Sequence, residues 1–373
     1  MKYYIIAGEA SGDLHGSNLI TELRKQDPQA EIRCWGGDLM AAAGATVVKH
    51  YKDLAIMGFA EVLMNLRTIF RNLDFAKKDI LAFNPDALIF IDYPGMNMRI
   101  AKWARSLSPE RFKIIYYISP QVWAWKEGRV KQIRSSVDKM LVILPFEKEF
   151  YRKWDYEVEY VGHPLVEVID KVRAQPPGSA QFSKPVIALL PGSRKQEIHK
   201  KLPVMLGVSE WFPDYQFVVA QAPGLDEAFY EELLAPYPHV AAVRNQTYSL
   251  LLTARAACVT SGTATLETAL FGVPEVVCYK GSPISYQIAR RLIKVKYISL
   301  VNLIMDKLVV QELIQDELTP ENLRRELDDL LHNPERQQRL AADYRQLHEI
   351  LSQGGHASAN AAHSILELLS QPH

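Results

Sequence analysis

A chain of 373 residues exceeds the usual reach of one hydrophobic core, so two domains are expected. Its 48% hydrophobic and 23% charged residues fit a globular, soluble protein, and 43 Lys+Arg against 43 Asp+Glu leave no formal net charge, which argues against a general nucleic-acid binder. Three widely spaced cysteines, Cys34, Cys258 and Cys278, form no CxxC pair; they fit a reducing compartment and argue against a zinc site.

The N-terminus runs directly into a strand, Tyr3–Ala7, and soon reaches Glu9 and Asp13, so no signal peptide is expected. No uncharged apolar stretch is long enough to cross a bilayer. Gly8, Gly12 and Gly16 then allow a tight strand-to-helix turn at the carboxyl edge of a sheet, with a spacing that departs from the dinucleotide pattern G-x-G-x-x-G. A second strand is expected near Ile32–Trp35. Between Ala55 and Arg71, apolar residues at 59, 62, 63, 66, 69 and 70 make a helical stripe flanked by Arg67 and Arg71, which fits a core face and also an acyl-chain or membrane contact.

The strand Ala87–Ile91 ends in Asp92, placed either as a base in the crevice or as the cap of the next helix. Lys113–Ile118 leads into Ser119-Pro-Gln-Val-Trp-Ala-Trp125, whose Trp123 and Trp125 suit a core or the walls of a sugar or acyl site. Lys139–Leu144 and Glu159–Val161 complete a first sheet, followed by His163 in a loop. Gln175–Ser179 reads as a linker, and the domain boundary falls between His163 and it.

A second series of strands is expected at Val186–Leu190, Gln216–Ala220, His239–Val243, Ala257–Thr260 and Glu275–Tyr279. Two of its corners suit anions. Val186–Leu190 breaks at Pro191-Gly192, with Ser193 expected as a helix N-cap and Arg194 adding a planar cation. Ala257–Thr260 runs into Ser261-Gly-Thr-Ala-Thr-Leu-Glu267, where Glu267 stands ready to accept from a ribose diol. Together the corners suggest a nucleotide diphosphate. Arg290, Arg291, Lys294 and Lys296 then cluster on a helical stretch, before helices run from Pro320 to His373 with a break at Gln353–His356.

These stretches resemble the lipid-A-disaccharide synthase family, inverting glycosyltransferases that use a sugar nucleotide and have the α/β GT-B fold of two Rossmann-like, doubly wound domains. The resemblance is carried by Ala7–Asp13, Ala55–Leu63, Ile91-Asp92, Ser119–Trp125, Leu144–Lys148, Val161–His163, Leu189–Arg194, Ser261–Glu267 and Tyr297–Leu303, in the family's order along nearly the whole chain. It implies glucosaminyl transfer from UDP-2,3-diacylglucosamine to 2,3-diacylglucosamine 1-phosphate, releasing UDP and forming a β-1,6 linkage. It implies an acceptor domain over 1–163, a UDP-sugar domain over 164–345, and a helical segment over 346–373 that packs back on the first domain or on the partner in a homodimer.

By the same resemblance Asp92 is the general base, and Arg194 with Gly192 and Ser193 clamps the diphosphate. Ser261, Gly262, Thr263, Glu267 and Asn302 line the nucleotide, while Gly8, Glu9, Ser11, Gly12 and Asp13, with Trp123 and Trp125, line the crevice near the acceptor. Ile56, Met57, Phe59, Val62, Leu63 and Leu66 meet acyl chains or the cytoplasmic surface of the inner membrane, so the enzyme is expected to be peripheral there. No metal and no cofactor are expected. Gly95 stands where many relatives carry an acidic residue, and Val301 where a proline is common. Other readings are a MurG-type transferase, an epimerase, or a non-catalytic lipid or nucleotide binder.

Overall fold

The computed structural model describes residues 1–54, 66–107, 111–175, 182–282, 286 and 295–371, with the side chains of Leu66 and Trp125 left out. The chain divides into two compact units, Met1–Pro164 with Ser352–His373, and Leu165–Leu351.

The first unit is built on seven strands: β1 Lys2–Ala7, β2 Glu31–Gly36, β3 Thr46–His50, β4 Ala87–Ile91, β5 Lys113–Tyr117, β6 Lys139–Val142 and β7 Glu159–Tyr160. They lie in the order β3-β2-β1-β4-β5-β6-β7, and every neighbouring pair is parallel. Parallel strands need crossovers that cover both faces, so central strands read as unbroken apolar runs; Ala87–Ile91 is buried at every residue. Tyr4, Trp35, Phe90 and Tyr116 are among the large side chains of this core.

The second unit repeats the plan. Its strands are β8 Val186–Leu190, β9 Gln216–Gln221, β10 Ala241–Arg244, β11 Ala254–Thr260, β12 Glu275–Tyr279 and β13 Gln311–Ile314, in the order β10-β9-β8-β11-β12-β13 and again all parallel. In each sheet the chain reverses its direction of winding at one place, between β1 and β4 and between β8 and β11. Crevices at such reversal points, beyond the carboxyl ends of the strands, are where open α/β sheets hold ligands.

The final helix, Ala357–Ser370, returns to the first unit and packs along the Ala10–Gln26 helix. Asn360 donates to the Val161 carbonyl at 3.1 Å, and the Ser364 hydroxyl donates to Glu159 at 2.6 Å. Just before it the backbone of Gly354 lies so close to Gly162 that a Cβ at 354 would sit 2.3 Å from the Gly162 Cα. Gly162 itself takes φ +96°, so neither glycine accepts a side chain without displacing backbone.

Two strands escaped the reading of the sequence. Both β3 and β13 lie at sheet edges, where one side lacks a neighbour and the apolar pattern fades; Thr46–His50 has no fully buried residue. Most of the linker reading (176–179) and of the basic cluster, including Arg290, Arg291 and Lys294, falls outside the described residues, as do Ile56, Met57, Phe59, Val62 and Leu63.

Candidate active site

The reversal point of the first sheet is acidic. Gly8 and Glu9 follow β1, with Glu9 at the N-cap position of the Ala10–Gln26 helix in extended conformation and without a side-chain capping bond. Asp92 follows β4. Its backbone is left-handed at φ +44°, and so is that of Tyr93 at +47° and of Ile118, just past β5, at +65°. Such angles cost about 1 kcal/mol or more for residues with a Cβ, and they persist only where the surroundings fix them. Here the fixing groups are visible: the Asp92 carbonyl accepts from the Tyr116 hydroxyl at 2.6 Å and from Asn97 Nδ2 at 2.7 Å, while its N–H donates to the Ile118 carbonyl at 3.2 Å. The Tyr93 ring then covers Gly8, where a Cβ would lie 2.3 Å from the ring.

The Asp92 side chain remains open to solvent while protein surrounds it on most sides. Loss of water around the charge, with repulsion from the Glu9 carboxylate, raises its pKa to about 7, and the Tyr93 N–H offsets this in part. A carboxylate in that range is matched to proton abstraction near neutral pH.

Other expected residues have structural tasks. Asp13 is buried and accepts from the N–H groups of Gly37 at 2.7 Å and of Leu39 and Met40 at 3.1 Å, capping the Asp38–Ala42 helix. Gly12 is buried against Ala7, whereas Ser11 is exposed. Trp123 is buried edge-on to Phe146, and its indole N–H is spent on Glu147 at 3.2 Å, so it belongs to the frame behind the crevice instead of its wall. Glu147 also accepts from the Leu144 N–H at 3.0 Å, and burial raises its pKa to about 7. His163 and His15 are both buried; desolvation lowers their pKa values to about 3 and about 4, so both are neutral rings.

The reversal point of the second sheet is cationic. Gly192 turns the chain at φ +117°, and the helix Lys195–Gly207 follows. Its N-cap is Arg194, not Ser193 as the residue types suggested; Ser193 is exposed in the turn. Arg194 is about half exposed, and its Nη1 meets Glu197 Oε1 at 3.3 Å, so the carboxylate offsets a cation that would otherwise oppose the helix dipole. The first-turn N–H groups of this helix and the Arg194 guanidinium form a surface suited to phosphate oxygens.

Across the β8–β11 pair the second corner begins at Ser261, whose hydroxyl donates to the Ile298 carbonyl at 2.9 Å. Gly262 at φ +134° and exposed Thr263 open the helix Thr263–Leu270. Glu267, in the second turn, accepts from the Tyr248 hydroxyl at 2.8 Å, and burial raises its pKa. Asn302 lies on the helix Leu300–Met305, which packs against the Thr263–Leu270 helix of the second corner. It is fully buried; its Nδ2 donates to Val310 and Glu312 and its Oδ1 accepts from the Val309 and Val310 N–H groups, all within 2.9 Å. Its hydrogen-bonding capacity is used up by the chain, and the expected contact with a nucleotide gives way to a framework role.

One residue escaped notice altogether. Lys201, beside Lys200, reads in the sequence as another surface charge, yet it is 2% exposed, hydrogen-bonds to Thr260 and lies 3.7 Å from Glu197. Its helical spacing from Ile198 and Met205, both on the buried face, was the available signal.

A family model described as lipid-A-disaccharide synthetase matches residues 3–366. The lipid-A-disaccharide synthase of Geobacter metallireducens is 39% identical over 376 residues, covering 98% of this chain and 97% of the relative. That of a Coxiella burnetii strain is 36% identical, covering 98% of each. Among solved structures, the UDP-GlcNAc 2-epimerase of Neisseria meningitidis superposes with a TM-score of 0.66 at 14% identity over 99% of each chain. The calicheamicin glycosyltransferase CalG4 does so with a TM-score of 0.62 at 18% identity, over 99% of this chain and 98% of that one. At such identities the structures speak for the fold alone, which is GT-B, whereas the family match and the curated relatives speak for the activity. The chain belongs to the lipid-A-disaccharide synthase family, glycosyltransferases that make the disaccharide of lipid A from a UDP-sugar and a lipid acceptor.

Proposed function

We propose that the two reversal points divide the reaction between them, the acidic one serving the acceptor and the cationic one the UDP leaving group. The 6-hydroxyl oxygen of 2,3-diacylglucosamine 1-phosphate attacks the anomeric carbon of UDP-2,3-diacylglucosamine. The bond from that carbon to the phosphate oxygen breaks, and its electron pair leaves on UDP. The hydroxyl proton passes to Asp92. Attack from the face opposite the phosphate inverts the centre and gives the β linkage.

Charge builds on the departing diphosphate. Arg194 and the first-turn N–H groups of Lys195–Gly207 stabilise it, a contribution worth about 3–4 kcal/mol where one such donor is removed. Ser261, Thr263 and Glu267 take the nucleotide's remaining polar groups. The observation that carries this reading is Asp92, held left-handed by Tyr116 and Asn97 and with its pKa moved to about 7.

The membrane side of the reading is supported by the helix Leu66–Phe83. It carries Phe70 62% exposed between exposed Arg67 and Arg71, a pairing of aromatic and cationic groups suited to an anionic lipid surface. Among the described residues no helix is long and apolar enough to cross a membrane. We place the enzyme at the cytoplasmic surface of the inner membrane, an assignment with which the three unpaired cysteines agree.

The test is UDP release by the wild type and Asp92→Ala, with and without the monophosphate acceptor. Release that needs the acceptor and disappears in the variant is expected. Release of equal rate without acceptor would point to hydrolysis of the donor, and would sink the transfer assignment.

A further inference from the structure

Buried lysines are rare unless paired, because the ammonium loses its water. Lys201 is such a residue, on the face of the Lys195–Gly207 helix that also buries Ile198, Leu202 and Met205. Its Nζ donates to Thr260 Oγ1, the last residue of β11 and the one before the Ser261 corner. It also lies 3.7 Å from Glu197 Oε2, while the other oxygen of that carboxylate receives Arg194. All three groups meet beneath Gly192: from the position of a Cβ there, Glu197 Oε2 is 3.2 Å away, Thr260 Cγ2 3.5 Å and Lys201 Nζ 3.6 Å. One buried cation thus touches the end of β11 and the first turn after β8 together.

We propose that Lys201 is a positioning residue of the diphosphate site, its ammonium joining the two anion-binding corners from below and setting Glu197, and through it Arg194, toward the phosphates. The inference rests on the assignment of UDP to these corners. A methylene stem alone would fill the space, but it would leave the Thr260 hydroxyl and Glu197 without their common partner. The charge adds a second contribution, since an ammonium in a poorly solvated site acts on a nearby anion with little screening.

The groups facing Lys201 define how it responds to pH. Burial lowers its pKa from the usual lysine value, as does Arg194; Glu197 and the Cys278 sulfur of β12 act in the other direction. An anion bound above favours the charged form. Affinity for UDP therefore carries a basic limb: it is greatest while Lys201 is protonated and falls as pH rises through its lowered pKa.

The experiment is calorimetric titration of UDP into wild type, Lys201→Met and Thr260→Val between pH 7 and 10, with circular dichroism as the check on folding. Methionine keeps the unbranched stem and removes the ammonium, and UDP affinity is expected to fall by about tenfold or more at pH 7. The ratio of wild-type to Lys201→Met affinity, in which titration of the nucleotide itself cancels, is expected to shrink toward pH 10. Thr260→Val keeps the ammonium, and a smaller loss of about threefold is expected from its missing acceptor. A packing role alone would leave the ratio near one and flat with pH, which overturns the proposal. Should Lys201→Met not fold, unchanged UDP affinity in Thr260→Val overturns it instead. Wild type that binds no UDP removes the underlying assignment too, whereas wild type that binds it beside an equally tight Met variant removes only this inference.

Discussion

Two sheets of the same winding end in opposite chemistry. After β1 and β4 stand Glu9 and Asp92, two carboxylates close enough for one to raise the pKa of the other. After β8 and β11 stand Arg194 and, beneath it, Lys201, joined through Glu197. The topology supplies a crevice in both cases, and nothing in the strand order says what it holds. What differs is the handful of residues just past the strand ends. One set holds a carboxylate whose charge is costly to form; the other concentrates positive charge around a glycine turn.

That contrast can be broken from either side. The largest loss is expected from Asp92→Asn, which keeps the shape and removes the base: kcat/KM should fall by about 10²–10⁴. UDP affinity, which the proposal assigns to residues of the other unit, should stay within about twofold. Loss of both together in steady-state and binding measurements would show that the division is wrong. Arg194→Met comes next, with a drop of about 10²–10³ in kcat and weaker UDP binding in the same titration.

The smallest effect on chemistry should come from Gly354→Val, far along the chain from both clusters. It forces a side chain into the Gly162 backbone, and thermal or denaturant unfolding should report a loss of about 1–3 kcal/mol. UDP affinity should be unaltered in the protein that remains folded.

How much of this was legible in the sequence follows from what each residue answers to. The central strands announced themselves because both faces are buried; Ala87–Ile91 and Glu275–Tyr279 lie where the apolar runs put them. Edge strands β3 and β13 did not, since half their surroundings are open. Asp92 and Arg194 could be singled out as candidates because one follows a strand end and the other a glycine turn, features encoded locally. Asp13, Asn302 and Lys201 were misread or missed for one common reason: a polar residue is a ligand contact, a cap or a buried strut according to partners that fold in from elsewhere. The partners of Asp13 are the N–H groups of Gly37, Leu39 and Met40, and the hydrogen-bond partner of Lys201 is Thr260, 59 residues away.

The most direct test of the account is the pH profile of kcat/KM for acceptor-dependent UDP release, in wild type and Glu9→Gln. Asp92 works as a base only when deprotonated, so the rate should rise with pH through a limb centred at about 7. Removing the Glu9 charge relieves the repulsion, lowers the pKa of Asp92, and should move that limb to lower pH. Titration of the acceptor's phosphate is the same for both proteins and cannot produce the shift. A limb at the same pH in the two proteins, or no limb between pH 5.5 and 8, would contradict the assignment of Asp92 as the base.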